Sequence, residues 1–293
     1  MHNLASVAGT RALLRNYGFR YRKSLGQNFL VDPGIIQKIV DAVEPALMDV
    51  IVEIGPGLGT LTKQVAGHVG KVLAVEIDRH LLPILADTLG GLESHVEVIQ
   101  GDALEIDFDR LVAAKTAGEF GQGGRPYKLV ANLPYYITGP LLTRLVLERF
   151  NTSVMVVMVQ QEVAARLTAA PGNKNYGSLS VLVRYFTEPE MVFRVPRTVF
   201  YPVPGVDSAV VRLRVRPEPA VRVLDEALFF KIVRAAFALR RKNILNALSG
   251  AMGGISKEKW RIILAKAGID PGRRGETFSL AEFAAVADRI KAL

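Results

Sequence analysis

The chain has 293 residues, 49% of them hydrophobic, with a net charge of +9, which is enough apolar material for one large or two moderate domains. It contains no cysteine, which excludes disulfides and thiolate metal sites, and its four histidines (His2, His68, His80 and His95) fall at no metal-ligand spacing. No apolar run reaches the roughly 18–20 residues of a membrane span, and no signal-peptide core opens the chain, so a cytoplasmic protein with no membrane association is expected.

In chain order, residues 1–31 form a basic N-terminal segment with five Lys/Arg and no acid. Residues 50–54 are apolar and β-branched, and Gly55-Pro56-Gly57-Leu58-Gly59 breaks them before a helical pattern over 60–69. Further strands are predicted over 71–76, 96–100, 128–131 and 152–159, with helical patterns over 79–89 and 139–149 between them. Strands separated by helices imply right-handed βαβ units and a parallel sheet. The Gly-rich stretch 116–126 reads as a loose surface loop. Residues 209–215 alternate like a half-exposed final strand, Pro217-Glu218-Pro219 reads as a linker, and helices are predicted over 228–248, 257–267 and 280–292. The expected domains are therefore an α/β domain over 32–216 and a small, basic, all-α domain over 217–293.

Charge is distributed unevenly along this order. The three segments 1–31, 32–210 and 211–293 carry nets of +5, −5 and +9. Two basic ends around an acidic middle suggest a polyanion partner, because neutralising phosphates drives nucleic-acid affinity. A basic surface that serves only solubility is the plainer alternative.

Four motifs stand at the predicted carboxyl ends of successive strands, where open α/β sheets bind ligands. Glu53-Ile54-Gly55-Pro56-Gly57-Leu58-Gly59 spaces its glycines G-x-G-x-G rather than in the G-x-G-x-x-G of a pyrophosphate loop, so a nucleoside with an amino-acid tail suits it better than a dinucleotide. Glu76 ends the second strand, where an acid can accept both ribose hydroxyls. Asp102 follows the third, placed to accept from an adenine amine. Asn132-Leu133-Pro134-Tyr135 follows the fourth and offers an amide oxygen, backbone carbonyls and an aromatic face, the parts needed to grip a planar base by its exocyclic amine. Each alone is also explained by a turn or an exposed strand end.

Together, VEIGPGLGTLT, VLAVEID, GDAL and NLPYYIT, with LGQNFL, VFYPVPGVDSAVVRL and FALRRKNILNAL, resemble the ribosomal RNA adenine N6,N6-dimethyltransferase family over roughly residues 22–290. The long basic C-terminal region is most similar to the branch that acts on small-subunit rRNA. The resemblance implies a Rossmann-like class I S-adenosylmethionine-dependent methyltransferase sheet with a small all-α C-terminal domain. It implies S-adenosylmethionine as cofactor, with Asn28 and Leu30 closing over it, Gly55 and Gly57 under its amino-acid end, Glu76 on its ribose and Asp102 at its adenine. Asn132, with Leu133 and Pro134, would hold the target amine. Tyr135 and Phe200 would stack on the target base, and Arg234, Arg240, Arg241 and Lys242 would contact RNA phosphates. The expected product is dimethylation at N6 of two adjacent adenosines in a hairpin loop near the 3′ end of small-subunit (16S) rRNA. The expected partner is the immature small ribosomal subunit, met by a monomer. The alternatives are a large-subunit rRNA adenine methyltransferase of the macrolide-resistance type, or a non-catalytic RNA-binding assembly or transcription factor with the same fold.

Overall fold

The computed structural model of the protein describes residues 4–22, 25–134 and 137–291. The basic N-terminal segment is not featureless. It carries helix α1 (Val7–Asn16), opened by the Ser6 hydroxyl accepting the Gly9 N–H at 3.1 Å, and a two-residue strand β1 (Phe29–Leu30). Helix α2 (Pro33–Val43) starts on Asp32, whose Oδ1 accepts the Ile35 N–H at 2.8 Å. Pro33 sits in its first turn, where a missing N–H costs nothing. Ile36, Ile39, Val40 and Val43 form its one buried face.

The alternation read from the sequence follows: β2 (Val50–Ile54), α3 (Thr60–Ala66), β3 (Lys71–Glu76), α4 (Leu82–Thr88), β4 (Val96–Gln100), α5 (Phe108–Lys115), β5 (Tyr127–Asn132), α6 (Thr138–Leu147) and β6 (Thr152–Gln160). These five strands pair in parallel in the spatial order β4-β3-β2-β5-β6. The continuous apolar runs of β2, β3, β5 and β6 follow from burial on both faces, whereas β4, at the sheet edge, is mostly half-buried. The order reverses between β2 and β5, and a crevice at that switch point is where such sheets take ligands.

After α7 (Gln161–Thr168) and α8 (Ser178–Phe186) come β7 (Thr187–Val195), β8 (Phe200–Tyr201) and β9 (Ser208–Val215). Strand β9 runs antiparallel to β6, and β7 lies outside it, completing a seven-stranded mixed sheet. The expectation of a half-exposed strand over 209–215 is corrected for its first half, where Ser208–Val211 are all buried, and holds for its second, where Arg212, Arg214 and Val215 are partly exposed around a buried Leu213. β7 itself carries Pro189 and two glutamates, residues that suit an edge strand. Separately, β1 and β8 pair antiparallel with Phe29 opposite Tyr201 and Leu30 opposite Phe200, which joins residues 170 positions apart in sequence.

The Gly-rich stretch 116–126 is also corrected, from a loose loop to a pinned one. Asn151 donates its side-chain amide to the Gly121 and Gly124 carbonyls at 2.8 and 2.9 Å, while its own N–H donates to Asp109. The Arg125 guanidinium lies 4.8 Å from the Phe120 ring centroid.

Contacts divide the chain into two compact units, residues 1–164 with 190–215 and residues 165–189 with 216–293. Residues 165–189 thus join the C-terminal helices, a discontinuous arrangement that a single cut near 216 does not describe. The second unit adds α9 (Glu226–Ala238), α10 (Ile244–Ala251), α11 (Lys257–Lys266) and α12 (Leu280–Lys291). Its core is aromatic: Tyr185 and Phe229 rings lie 4.9 Å apart, Phe278 and Phe283 5.2 Å apart, and Trp260 is fully buried. The single helix expected over 228–248 is two helices. Asn243 ends the intervening turn and caps α10, its Oδ1 accepting the Asn246 N–H at 3.0 Å, so Arg240, Arg241 and Lys242 stand on a turn. No helix of the described residues is long and apolar enough to cross a membrane.

Candidate active site

A cavity of about 310 Å³ opens at the carboxyl edge of the sheet, over the β2–β5 switch point. Asn28, Leu30, Gly55, Gly57, Glu76, Asp102, Asn132, Leu133, Pro134 and Phe200 all line it. Every cofactor-side and target-side residue singled out from the sequence therefore meets in one place, except Tyr135, which lies outside the described residues.

The glycine turn after β2 sets how closely the walls approach. Gly57 has φ +60°, a conformation L side chains rarely adopt, and a Cβ there would stand 3.1 Å from the Phe29 ring. Only glycine lets β1 fold down against this turn. Across the crevice, a Cβ on Gly55 would lie 3.7 Å from the Asn132 carbonyl, so the loops that follow β2 and β5 are nearly in contact.

Two acids face the cavity from under the turn. Glu76 accepts the Asp78 N–H at 2.8 Å on one oxygen and the Gly57 N–H at 3.3 Å on the other. Burial nevertheless dominates and pushes its pKa up to about 7. Glu53 is only 2% exposed, and burial, with the neighbouring Glu76 adding to it, also pushes it to about 7. The neighbouring Thr62 hydroxyl pulls the other way, though among the described residues no hydrogen bond within ordinary geometry reaches the buried Oε2. The sequence reading quoted Glu53 within a motif and gave it no role. The signal was there, because an acid in the middle of an apolar strand is costly without a purpose.

Asp102 follows Gly101 past β4, and its Oδ1 accepts the Leu104 N–H at 2.8 Å. That turn fixes the carboxylate and leaves the other oxygen available. Asn132 ends β5 and donates its Nδ2 to the Asn28 carbonyl at 3.4 Å, so its Oδ1 is the end left to accept. Of the two carbonyls that follow, Pro134's accepts from the Ile137 N–H and the Thr138 hydroxyl at 3.2 and 3.0 Å, committing it to the start of α6. The Leu133 carbonyl receives no donor from the described residues, while the Leu133 N–H continues the ladder to Met158 at 3.0 Å. Phe200 is a buried residue of the hydrophobic core as well as a wall of the cavity.

The four basic residues lie in the second unit and are all exposed. Arg234 is on α9, and the other three are on the turn that follows it. Arg240 differs from the rest: its guanidinium pairs with Glu276 at 3.4 Å and donates to the Lys174 carbonyl.

Comparison with known proteins agrees with this geometry. Residues 18–286 match the family described as ribosomal RNA adenine dimethylase. The chain is 62% identical, over 97% of its length and 96% of the relative's, to the ribosomal RNA small subunit methyltransferase A of Pelotomaculum thermopropionicum. It is 53% identical to the protein of the same name from Moorella thermoacetica, over 99% of this chain and 100% of that one. Among solved structures, a dimethyladenosine transferase from Plasmodium falciparum superposes with a TM-score of 0.71 at 25% identity, covering 88% of this chain and 95% of that one. The 23S rRNA methyltransferase ErmE superposes with a TM-score of 0.68 at 26% identity, covering 89% and 99%. The strand-end constellation and the match along nearly the whole chain lead to one conclusion: this protein belongs to the ribosomal RNA adenine dimethylase family.

Proposed function

We propose that this protein transfers methyl groups from S-adenosylmethionine to N6 of two adjacent adenosines in a hairpin loop near the 3′ end of small-subunit rRNA, dimethylating each. The reaction belongs to cytoplasmic assembly of the small subunit, and its partner is the immature particle, engaged by a monomer. The family supports adenine dimethylation in rRNA, and the names of the 62% and 53% identical relatives support the small subunit. The observation that carries the reading is the convergence on one cavity of Glu76, Asp102 and Asn132, whose Nδ2 is engaged by the Asn28 carbonyl.

The residues present suit that cofactor. A Cβ at Gly57 would crowd Phe29, which also lines the cavity, and the acids Glu53 and Glu76 line it too, a lining that suits a ligand bearing positive charge. Gly55 and Gly57 would underlie its amino-acid end, with Asn28 and Leu30 over it. Glu76 would accept from its ribose hydroxyls, and Asp102 from its adenine amine. When bound, the cofactor supplies an electrophilic methyl group on a positively charged sulfur.

The chain's task is then to make a poor nucleophile adequate. The adenine amine is weak because its lone pair is delocalised into the ring. Asn132 Oδ1 and the Leu133 carbonyl, by accepting the amine's N–H groups, favour a pyramidal nitrogen whose lone pair leaves the ring plane. Positioning and electrostatics therefore supply much of the barrier reduction. The proton leaves after transfer, and no side chain is assigned as a general base. Unstacking the target base costs a few kcal/mol. Stacking on Tyr135 and Phe200 offsets it by roughly 1–3 kcal/mol per base. Arg234, Arg240, Arg241 and Lys242 contact phosphates, which position the RNA without reading its sequence.

One experiment tests the whole reading. Labelled S-adenosylmethionine is incubated with the protein and immature small subunits, large-subunit rRNA or duplex DNA, and the labelled base is mapped. Dimethyladenosine confined to the small-subunit RNA is the expected result, and label in none of the three would overturn it.

A further inference from the structure

We infer that Gln27 is a positioning residue for methyl transfer: its side-chain amide ties the turn behind Glu76 to the backbone stretch that orients Asn132. The inference rests on the roles of Glu76 and Asn132 proposed above. Gln27 Nε2 donates to Asp78 Oδ2 at 2.7 Å, and its Oε1 accepts the Arg22 N–H at 3.0 Å. Both ends of the amide are engaged, so its orientation is fixed.

Asp78 is a demanding partner. It is 1% exposed, and its second oxygen accepts the His80 N–H at 3.1 Å, with the Arg22 guanidinium 3.9 Å away. A buried carboxylate needs such donors, and removing one leaves an unsatisfied charge. The Asp78 N–H in turn donates to Glu76 Oε1 at 2.8 Å. The Asp78 turn is therefore what holds one oxygen of the acid at the ribose end of the cavity.

The other end of the connection is the next residue along. The Asn28 carbonyl accepts from Asn132 Nδ2, the contact that leaves Asn132 Oδ1 as the free end of the amide. An amide whose NH₂ loses its acceptor can turn over and present donors where an acceptor is required. A chain of contacts thus runs Glu76–Asp78–Gln27–Asn28–Asn132, from the cofactor side of the cavity to the target side. Gln27, Asn28, Glu76 and Asn132 line the cavity, and the buried Asp78 joins Glu76 to Gln27 from outside that lining. If Gln27 served only to anchor the N-terminal segment, its loss would alter stability and leave both cofactor affinity and turnover in proportion to folded protein.

The test is a set of variants: Gln27→Ala, Gln27→Glu, Asp78→Asn and the pair Gln27→Glu/Asp78→Asn. The pair restores the hydrogen bond with its polarity reversed, an amide at 78 donating to a carboxylate at 27, whereas Gln27→Glu alone sets two carboxylates against each other. Melting temperature, calorimetric cofactor affinity, RNA affinity, and kcat and KM on immature small subunits are measured for each. Gln27→Ala is expected to lower kcat roughly tenfold and weaken the cofactor several-fold, because a small misplacement of reacting groups is expensive. RNA affinity stays near wild type, and the melting temperature falls by a few degrees because Asp78 loses a donor. Gln27→Glu is expected to be worse, and the pair to recover to within about threefold of wild type. A Gln27→Ala enzyme with wild-type kcat and cofactor affinity overturns the inference, as does a pair no better than Gln27→Glu. If the wild type itself methylates nothing, the functional reading fails instead, and calorimetric cofactor affinity still reports on the Gln27 connection.

Discussion

In the first unit the recognition groups are few, buried and individually fixed. Glu76 has both oxygens held by backbone N–H groups, Asp102 is held by its own turn, and Asn132 is turned by a backbone carbonyl. In the second unit the candidate RNA contacts are exposed cations on and beside a turn, and only Arg240 is tied into the surrounding structure. A buried polar group acts at full strength and must be placed to a fraction of an ångström. An exposed cation acts through a screened field and tolerates displacement. The two regions therefore distinguish chemistry from attachment, and substitutions in them should fail differently.

The sharpest break in that comparison comes from Asn132→Ala. It removes the sole side-chain acceptor proposed for the target amine, so transfer should fall by roughly 10²–10³-fold, as when one preorganised transition-state contact is lost. RNA affinity by filter binding should stay within about twofold of wild type. Comparable losses in both measurements would erase the division between the regions.

Glu76 gives a smaller effect with a definite sign. Burial has raised its pKa to about 7, and in its proposed role at the ribose the charged form would accept from the hydroxyls, linking cofactor binding to loss of a proton. Affinity should rise with pH through that value, by about tenfold between pH 6 and pH 8, then level off. Glu76→Gln should flatten the profile, and any slope that survives belongs to Glu53, raised to about 7 by its own burial. In the ligand-free protein the same shift acts on folding in the opposite sense. A carboxyl whose pKa is raised from 4.5 to about 7 favours the folded state most at low pH, and that contribution is lost as pH climbs through 7. Calorimetric titrations and melting curves across this window read both effects.

The mildest prediction concerns the turn. Arg241→Ala and Lys242→Ala should each weaken RNA binding a few-fold and reduce the slope of log affinity against log salt by about 1, with melting temperature unchanged. Arg240→Ala should also lower the melting temperature by a few degrees, because it loses its bond to the Lys174 carbonyl. An unchanged Arg240→Ala melting temperature would make this residue no different from its neighbours.

How much of this was legible depended on how local the signal is. The parallel sheet and its strand-end motifs could be read because each is a short apolar run followed by a glycine, an acid or an Asn-Leu-Pro, all within a few residues. Gln27 could not, since its partner lies 51 positions away and nothing in the local pattern distinguishes it from a surface amide. The break between α9 and α10 was hidden because the apolar spacing continues across it, and Asn243 reads as a tolerated mid-helix residue until its cap is seen. The pinned loop over 116–126 was misread for a related reason. Its restraint comes from Asn151 and Asp109, which lie outside it. Strand β9 looked half-exposed along its whole length because Arg212 and Arg214 alternate with apolar residues. The structure shows those arginines reaching Glu44, with Arg212 also on Glu190.

In the role proposed for Asn132, with its oxygen as the free end, the grip weakens as it works. An unmodified adenine amine offers two N–H groups to an acceptor, a monomethylated amine one, and a dimethylated amine none. Each turnover therefore erases part of what held the base, and the finished product is the one species the acceptors cannot retain. A site built this way keeps count of its own methyl groups and lets go at two.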